Sequence, residues 1–540
     1  MEQFSKEEQE ILRPFFTNLD KPVFVLKNLP EVVKGALFSR YSRSDKSLRR
    51  VLLEEFIKDE KMGFKEIVGH QAESGVSQVV AIRKAEEFYD RVLVGFGDDS
   101  VAELGGAHVA VEDVSNITSV ILEDSRIGLS PLEKSTRYVW YDKKVNGKYA
   151  YYSDEKIMQS RHADLFTETC DMLFDSYAEL VEPTKKYLNE QFPQEENVSD
   201  RAYNSTIKAK TCDVLRVFLP AATTTNLGLF GNGRSFEYLL TKMYSNELTE
   251  PQNVAASMHA ELQKVIPSFV KRARDQFGMP TIEFMHETRK GMRQLAGKIF
   301  EGTKPQKEKE VTLVSFDSKA EEKVVAAALY PFTDLSHKQV QEKVRKMNAT
   351  ERKQVLKEYQ FRRQNRRHKP YRGFEHAYYE FDLLGNYGIY RDLHRHRMLT
   401  QQRQPLTVKH GFNIPTEFKA LGVEEKYVDA MKEVASAFNA IAKDLPKEAQ
   451  YVVPFGYRIR WNVCLNLREL YHLVELRSTI QGHPDYRRIA FKMFDEVRKV
   501  QPALVEWMKF VVTKDIGLER LEAEKEYDKR IEEVKKKYGG

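Results

Sequence analysis

Cysteine is scarce: Cys170, Cys212 and Cys464 are the three in 540 residues. An odd number of widely spaced cysteines argues against a disulfide framework and a cysteine-based metal site, and points to a reducing, cytoplasmic setting. Long apolar runs are missing as well. No stretch approaches the roughly 18 uncharged residues of a membrane span, so no membrane partner is expected. The opening MEQFSKEEQE is acidic and lacks the apolar segment of a signal peptide. There is no Ser-His-Asp arrangement and no P-loop, and GFGDD at 95–99 lacks the third glycine of a dinucleotide loop.

What is present is 41% apolar and 31% charged, the balance of a soluble globular protein. The length suggests about two to four domains. Apolar residues at helical spacing predict helices through Leu165–Leu180, Tyr427–Leu445, about 252–275 and about 487–510. β-rich runs lie between them: VFVL at 23–26, YVWYD at 138–142 and VTLVSF at 311–316. Helices alternating with short strands give a mixed fold. Residues 300–310, FEGTKPQKEKE, read as a junction. The charge-dense tail from about 515 reads as an exposed or partner-bound helix. The net charge is only +6, but 361–373, FRRQNRRHKPYRG, is strongly basic, and so is the stretch with Arg391, Arg395, Arg397 and Arg403. Such clusters attract anions, either a polyanion such as RNA or a small phosphorylated ligand. A solvated basic helix face is the plain alternative for 361–373.

The two halves repeat each other. Each opens with a strand-like run and a helix, VFVLKNLPEVVKGALFSR and VTLVSFDSKAEEKVVAAAL. Each has an acidic residue ahead of an arginine-bearing loop, Glu103 before Arg126 and Glu375 before Arg395. Each continues into a long helix and a proline turn, Leu219-Pro220 and Val453-Pro454. An Asn-x-Arg helix follows in both, GNGRSFEYLLTK at 231–242 and LNLRELYHLVELR at 465–477.

Arg395-His396-Arg397, followed later by Asn466-Leu467-Arg468 and Leu476-Arg477, resembles the flavin-dependent thymidylate synthases, whose signature is R-H-R and then N-x-R…L-R. Glu133-Lys134-Ser135-Thr136-Arg137-Tyr138 resembles that family's E-x-S-x-R-Y, and Arg216 through Pro220 its R-x-x-L-P. The likeness runs over 20–270 and 308–510. It implies an α+β fold of two tandem domains, each a twisted, largely antiparallel sheet with long helices: 20–295, 308–512, and a charged tail at 513–540. It also implies FAD as cofactor, with NADPH and methylene-tetrahydrofolate as co-substrates, and methylation of dUMP to dTMP. The alternative is a homologue that binds flavin or nucleotide without catalysis, with a regulatory or structural role.

In the family each nucleotide site is shared by two subunits. The first half keeps Glu133, Ser135, Arg137 and Arg216, but has Asp124-Ser125-Arg126 in place of R-H-R and Lys242 in place of the final arginine. The second half keeps Arg395, His396, Arg397, Asn466 and Arg477, but has Pro405 and Thr407 in the loop and Gln450 before the proline turn. These complementary losses predict one composite site per chain. Substrate contacts are expected from Glu133, Ser135, Arg137, Arg216, Arg395 and Arg477, the last two also catalytic. Cofactor contacts are expected from His396, Arg397, Asn466 and His472. Other bland readings stand beside these: Ser135 and Arg137 could cap a following strand, and Arg477 could pair with Glu475 or Asp485. His394 and His396 could bind a metal, but no carboxylate or cysteine is paired with them in sequence, so none is expected. Asp392, where the family usually has Gln, would alter base recognition because an ionised carboxylate only accepts hydrogen bonds. Asp98 stands where the family has histidine ahead of Ser100. The expected partner is a pyrimidine nucleotide and not nucleic acid, in a homodimer that mimics a four-domain assembly.

Overall fold

The structure, a computed structural model, describes residues 2–58, 101–125, 127–514 and 517–539. Asp98, Ser100, Arg126 and the 95–99 run fall outside the described residues. Two compact units are present. One comprises Met1–Glu112, Ile121–Glu133 and Asn226–Thr303, the other Asp113–Val120, Lys134–Thr225 and Lys304–Gly540. The units cut across the two sequence copies, because the second unit takes a long stretch of the first half.

The elements follow one order twice. The first half runs β1 (Gly106–Ser115), α1 (Asn116–Glu123), β2 (Leu129–Glu133), long helices α2 (Ala163–Gln191) and α3 (Asp200–Leu215), β3 (Thr224–Asn232) and α4 (Gly233–Tyr244). The second runs β4 (Val311–Phe316), β5 (Tyr378–Asn386), α5 (Tyr387–Leu393), β6 (Leu399–Arg403), α6 (Glu424–Asp444), β7 (Arg458–Asn466) and α7 (Leu467–Arg477), and α8 (Pro484–Val500) and α9 (Leu521–Tyr538) come last. The sheets have strand orders β1-β3-β2 and β4-β5-β7-β6, so both share one pattern and the second gains β4 at its edge. The strand pairs β2–β3, β4–β5, β5–β7 and β6–β7 are antiparallel. The fold expected from the resemblance, tandem α+β domains with antiparallel sheets, is the one observed.

Local chemistry explains the repeat. Asn232 and Asn466 end equivalent strands, and each caps the following helix, its side chain accepting from the Ser235 N–H at 2.8 Å and the Glu469 N–H at 2.9 Å. This satisfies amides that a helix start leaves without partners. The arginine two residues on meets the acid before the first strand of its own copy: Arg234 with Glu103 and Arg468 with Glu375, both at 2.8 Å. In β7, Ile459, Trp461, Val463 and Leu465 are buried while alternate residues face outward. Its outward face is laddered to β5 through Asn462–Glu380 and Arg460–Asp382.

Three local expectations are corrected. VFVL at 23–26 forms only an isolated bridge, Phe16 with Leu26, so the first copy has no counterpart of β4 there. Its alternation is real, since Val23 and Val25 point to solvent, but Asn28 at φ 55° turns the chain away. YVWYD at 138–142 is not a strand; the Tyr138 N–H bonds back to the Ser135 carbonyl in a turn. The helices expected over 252–275 and 487–510 stop at Leu262 and Val500 and restart at Pro267 and Pro502. Proline has no N–H to give and excludes the helical conformation from the residue before it. The tail forms α9 with no buried residue, tied to the second unit by Arg201–Glu524 at 2.8 Å.

Within the second unit the copies meet as like against like. The Ala221 N–H donates to the Val453 carbonyl (2.8 Å), the Phe455 N–H to Leu219 (2.9 Å) and the Gly456 N–H to Val217 (3.0 Å). Pro220 and Pro454, the equivalent turn prolines, face each other across this ladder. The equivalent long helices α2 and α6 pack together. The Tyr387 hydroxyl, at the start of α5, donates to the carbonyl of Asn116, at the start of α1, at 3.1 Å. Equivalent positions in contact are the mark of a two-fold axis, here an internal one.

Candidate functional site

α5 starts beside this axis. Asn386 caps it, accepting from the Ile389 N–H at 3.0 Å, and its last turn presents Asp392. Arg216, the residue after α3, reaches across the first turn of α5. A Cβ at Gly388 would lie 3.4 Å from the Arg216 Nε, so a larger side chain there would press on the guanidinium. Arg216 Nη1 stands 3.5 Å from Asp392 Oδ2. Its Nη2 is buried without a hydrogen-bond partner among the described residues.

Burial alone would raise the Asp392 carboxyl. The charges of Arg216, Arg137, Arg477 and Arg395, in that order of effect, outweigh burial and hold it well below the usual carboxylate range. The four arginines expected at the composite site, two from each copy, therefore all act electrostatically on one carboxylate inside the second unit, Arg216 at 3.5 Å.

Each arginine is fixed differently. Arg137 forks onto Asp213, with Nε to Oδ1 at 2.6 Å and Nη2 to Oδ2 at 2.5 Å, and points Nη1 at the Tyr486 hydroxyl, 3.4 Å away. Burial would raise Asp213, but Arg137 overrides it and keeps the carboxylate ionised. Ser135 accepts from the Arg137 N–H at 3.2 Å and so closes the turn that aims Arg137; no strand follows for either residue to cap. Arg477 lies over the Tyr486 ring, 5.6 Å from its centroid, and its Nε donates to His396 Nε2 at 3.0 Å. Neither carboxylate expected for it pairs with it: Glu475 binds Arg363, and Asp485 binds Asn386 and Arg488. Arg395 and Arg397 are solvent-exposed.

His396 is held at both nitrogens. A guanidinium can only donate, so Nε2 accepts from Arg477 and Nδ1 carries the proton toward Glu469 Oε1, 2.7 Å away. Burial, then Arg477 and His394, keep the ring neutral. Burial raises the Glu469 carboxyl, with His472, Lys369, Arg468 and Arg477 opposing. His472 packs edge-on against His396, centroids 5.4 Å apart, and burial lowers it to about 4. The donor atoms of His396, Glu469 and His472 lie within 4.8 Å of one another. A cation there would have to displace the His396–Glu469 hydrogen bond and face Arg477. Asn466 uses its side-chain oxygen as the cap of α7. Glu133 belongs to the other unit, where it closes β2 opposite Leu227.

Four guanidinium groups and the carboxylates of Asp213 and Asp392 thus belong to one electrostatic cluster. A cavity of about 730 Å³ adjoins, sharing Asp213 and lined also by Lys210, Val217, His483, Asp485 and Arg488. Asp213, Tyr486 and Glu469 were missed from sequence. Asp213 offered a signal, three residues before Arg216 at the end of α3; the other two offered none.

A family model described as thymidylate synthase complementing protein matches residues 49–268 and 312–503, one segment in each copy. A UPF0159 protein of Chlamydia muridarum is 45% identical over 523 residues, 96% of this chain and 98% of that protein. A UPF0159 protein of Thermoplasma acidophilum is 36% identical over 517 residues, 91% of this chain and 97% of its own. A flavin-dependent thymidylate synthase of Sulfolobus acidocaldarius is 30% identical over 145 residues, covering 25% of this chain and 54% of that enzyme. No helix among the described residues is long and apolar enough to cross a membrane.

Proposed function

The chain belongs to the thymidylate synthase complementing protein family, and from that premise we propose that it is a flavin-dependent enzyme modifying a pyrimidine nucleotide at one site per chain, built from both copies. In its simplest form it methylates dUMP to dTMP with FAD, NADPH and methylene-tetrahydrofolate. The observation that carries this reading is the Arg216–Asp392 pair at 3.5 Å, with Arg137, Arg395 and Arg477 also acting on that carboxylate.

The residues fit such ligands. Guanidinium groups suit a nucleotide phosphate, and the buried Arg216 Nη2 is an unused donor. The neutral His396–His472 pair, half-open to solvent at His472, offers a surface for a flavin ring. Bound there, reduced flavin would supply the electrons. The protein's part is positioning and electrostatics. Arg216 and Arg395 bind the phosphate, and Asp213 holds Arg137 in place beside it. The His396–Glu469 pair fixes the azimuth of Arg477, so its charge is already oriented when negative charge develops on the pyrimidine; such preorganised charge stabilises the transition state. Asp392, ionised in the middle of the cluster, holds Arg216 in place, its Oδ2 3.5 Å from Arg216 Nη1.

The test is a preparation of the full chain: flavin absorbance near one equivalent per chain, then NADPH oxidation that depends on dUMP. Arg216→Ala and Arg395→Ala should each abolish that dependence. Absence of bound flavin and of any dUMP-induced thermal shift would overturn the reading. A second reading, binding without turnover, is favoured by the Arg137–Asp213 fork, which ties up the Nε–Nη2 edge of Arg137; flavin uptake with no NADPH oxidation under any pyrimidine nucleotide selects it. Two chains in solution would restore the family's four-domain assembly, a mass that light scattering reads directly.

A further inference from the structure

The basic segment ahead of β5 has no part in the arginine cluster. From Phe361 to Gly373 it carries Arg362, Arg363, Arg366, Arg367, Lys369 and Arg372 and no acid. A solvated basic face needs no particular attachment, yet this one is fastened to α7 at two places. Arg363 forks onto Glu475 at 3.0 and 2.6 Å, with both side chains buried, and its Nε donates to the His368 carbonyl at 2.5 Å, which folds the segment back. At the helix start, Arg468 donates to the Pro370 carbonyl at 2.7 Å and to Glu375 at 2.8 Å. His472 lies between Arg468 and Glu475 on that helix, so the two fastenings bracket it.

The remaining cations divide. Arg362 pairs with Glu358 at 2.6 Å and Arg372 with Glu375 at 3.2 Å. Arg366, Arg367 and Lys369 have no ion-pair partner among the described residues. Lys369 acts electrostatically on both Glu469 and His472, and Arg366 on His472. Moving outward from Asp392 one meets Arg477, His396, His472 and then Lys369 and Arg366, with Arg367 next to Arg366 in the chain. Positive charge thus stands on both sides of the neutral histidine pair.

We propose that Arg366, Arg367 and Lys369 form a second anion subsite, which binds the diphosphate of a flavin dinucleotide whose ring lies at His396 and His472. This rests on the flavin reading given above. Two arginines suit the oxygens of a diphosphate through paired N–H donors, and lysine adds a mobile point charge. A diphosphate diester has about two negative charges, which three cations cover.

The test compares the full-length wild type with Arg366→Ala/Arg367→Ala/Lys369→Ala, using flavin-fluorescence titrations of FAD and riboflavin. Riboflavin has the ring and no phosphate. The wild type should bind FAD at least a hundredfold more tightly than riboflavin, with FAD affinity falling as salt rises. The triple variant should narrow that ratio at least tenfold while riboflavin binding stays within about twofold. An unchanged ratio, or a parallel loss of both ligands, overturns the subsite. So does loss of binding to an oligouridylate with FAD unaffected, since the segment would then be a nucleic-acid arm. If the wild type binds neither flavin, the flavin reading itself falls and this inference with it. Arg366→Lys/Arg367→Lys, which keeps the charge, should restore part of the FAD preference and separates recognition from misfolding.

Discussion

Asp392→Asn replaces one of the two carboxylates described inside the arginine cluster with a neutral isostere. At 3.5 Å from Arg216, a unit charge pair with an effective dielectric near 20 interacts by about 5 kcal/mol. Arg216 is buried, so removing its counter-ion leaves an uncompensated charge, and such changes cost about 3–5 kcal/mol. For a unit of this size that lowers Tm by about 6–10 °C. The ligand should feel the opposite effect. The same carboxylate, on the order of 6 Å from a bound phosphate, repels each unit of its charge by about 3 kcal/mol at that dielectric. Halving this for the part of Asp392 that water reaches predicts dUMP binding at least tenfold tighter in the variant. Thermal-shift titration reads both effects, because a ligand specific for the folded state raises its stability with concentration. The unliganded Tm should fall and the dUMP-induced rise should grow, while deoxyuridine, which lacks the phosphate, should show no such gain. An unchanged unliganded Tm together with weaker dUMP binding would refute the charge-balance argument, because Asp392 would then be a direct contact to the base.

Arg137→Ala and Asp213→Ala should each destabilise by about 3–5 kcal/mol, because either strands a buried charge, whereas the double variant should cost clearly less than their sum; denaturant unfolding of all three closes the cycle. His396, His472 and His483 are all held below the ordinary histidine range by burial first, the last two at about 4. The unfolded chain therefore takes up these protons first, and stability should fall as pH drops from about 6.5 toward 4, by about 1 kcal/mol per pH unit for each ring. His472→Gln should make that slope shallower; a slope that stays the same removes His472 from the account. Gly456→Ala would drive a methyl into the Tyr427 hydroxyl and the Val217 carbonyl beside the internal axis, and should destabilise by about 1–3 kcal/mol, measured by calorimetry.

Much of the fold was legible because burial imposes period. Tyr427, Met431, Val434, Phe438 and Ile441 are the buried face of α6, and VTLVSF is β4, residue for residue. The duplicated Asn-x-Arg signature was legible too, and the structure explains it by a cap and an ion pair in each copy. The 138–142 run misled because aromatic and β-branched residues fit any half-buried surface, and here a turn that serves Arg137 took precedence. The arginines could be named from sequence because motif and order carried them. Their counter-ions could not, since nothing local relates Asp213 to Arg137 across 76 positions, or Glu469 to His396 across 73. Only tertiary folding makes those pairs.

The ladder that joins Leu219-Pro220 to Val453-Pro454 has an evolutionary consequence. In a true homodimer every substitution appears twice, so a residue useful on one side of the axis must be tolerated on the other. Once both sides lie on one chain, that coupling is gone, and each can drift on its own. An aspartate can then enter at 392 in one copy while its counterpart keeps some other residue. Chemistry that a symmetric ancestor could not sample becomes accessible by single steps.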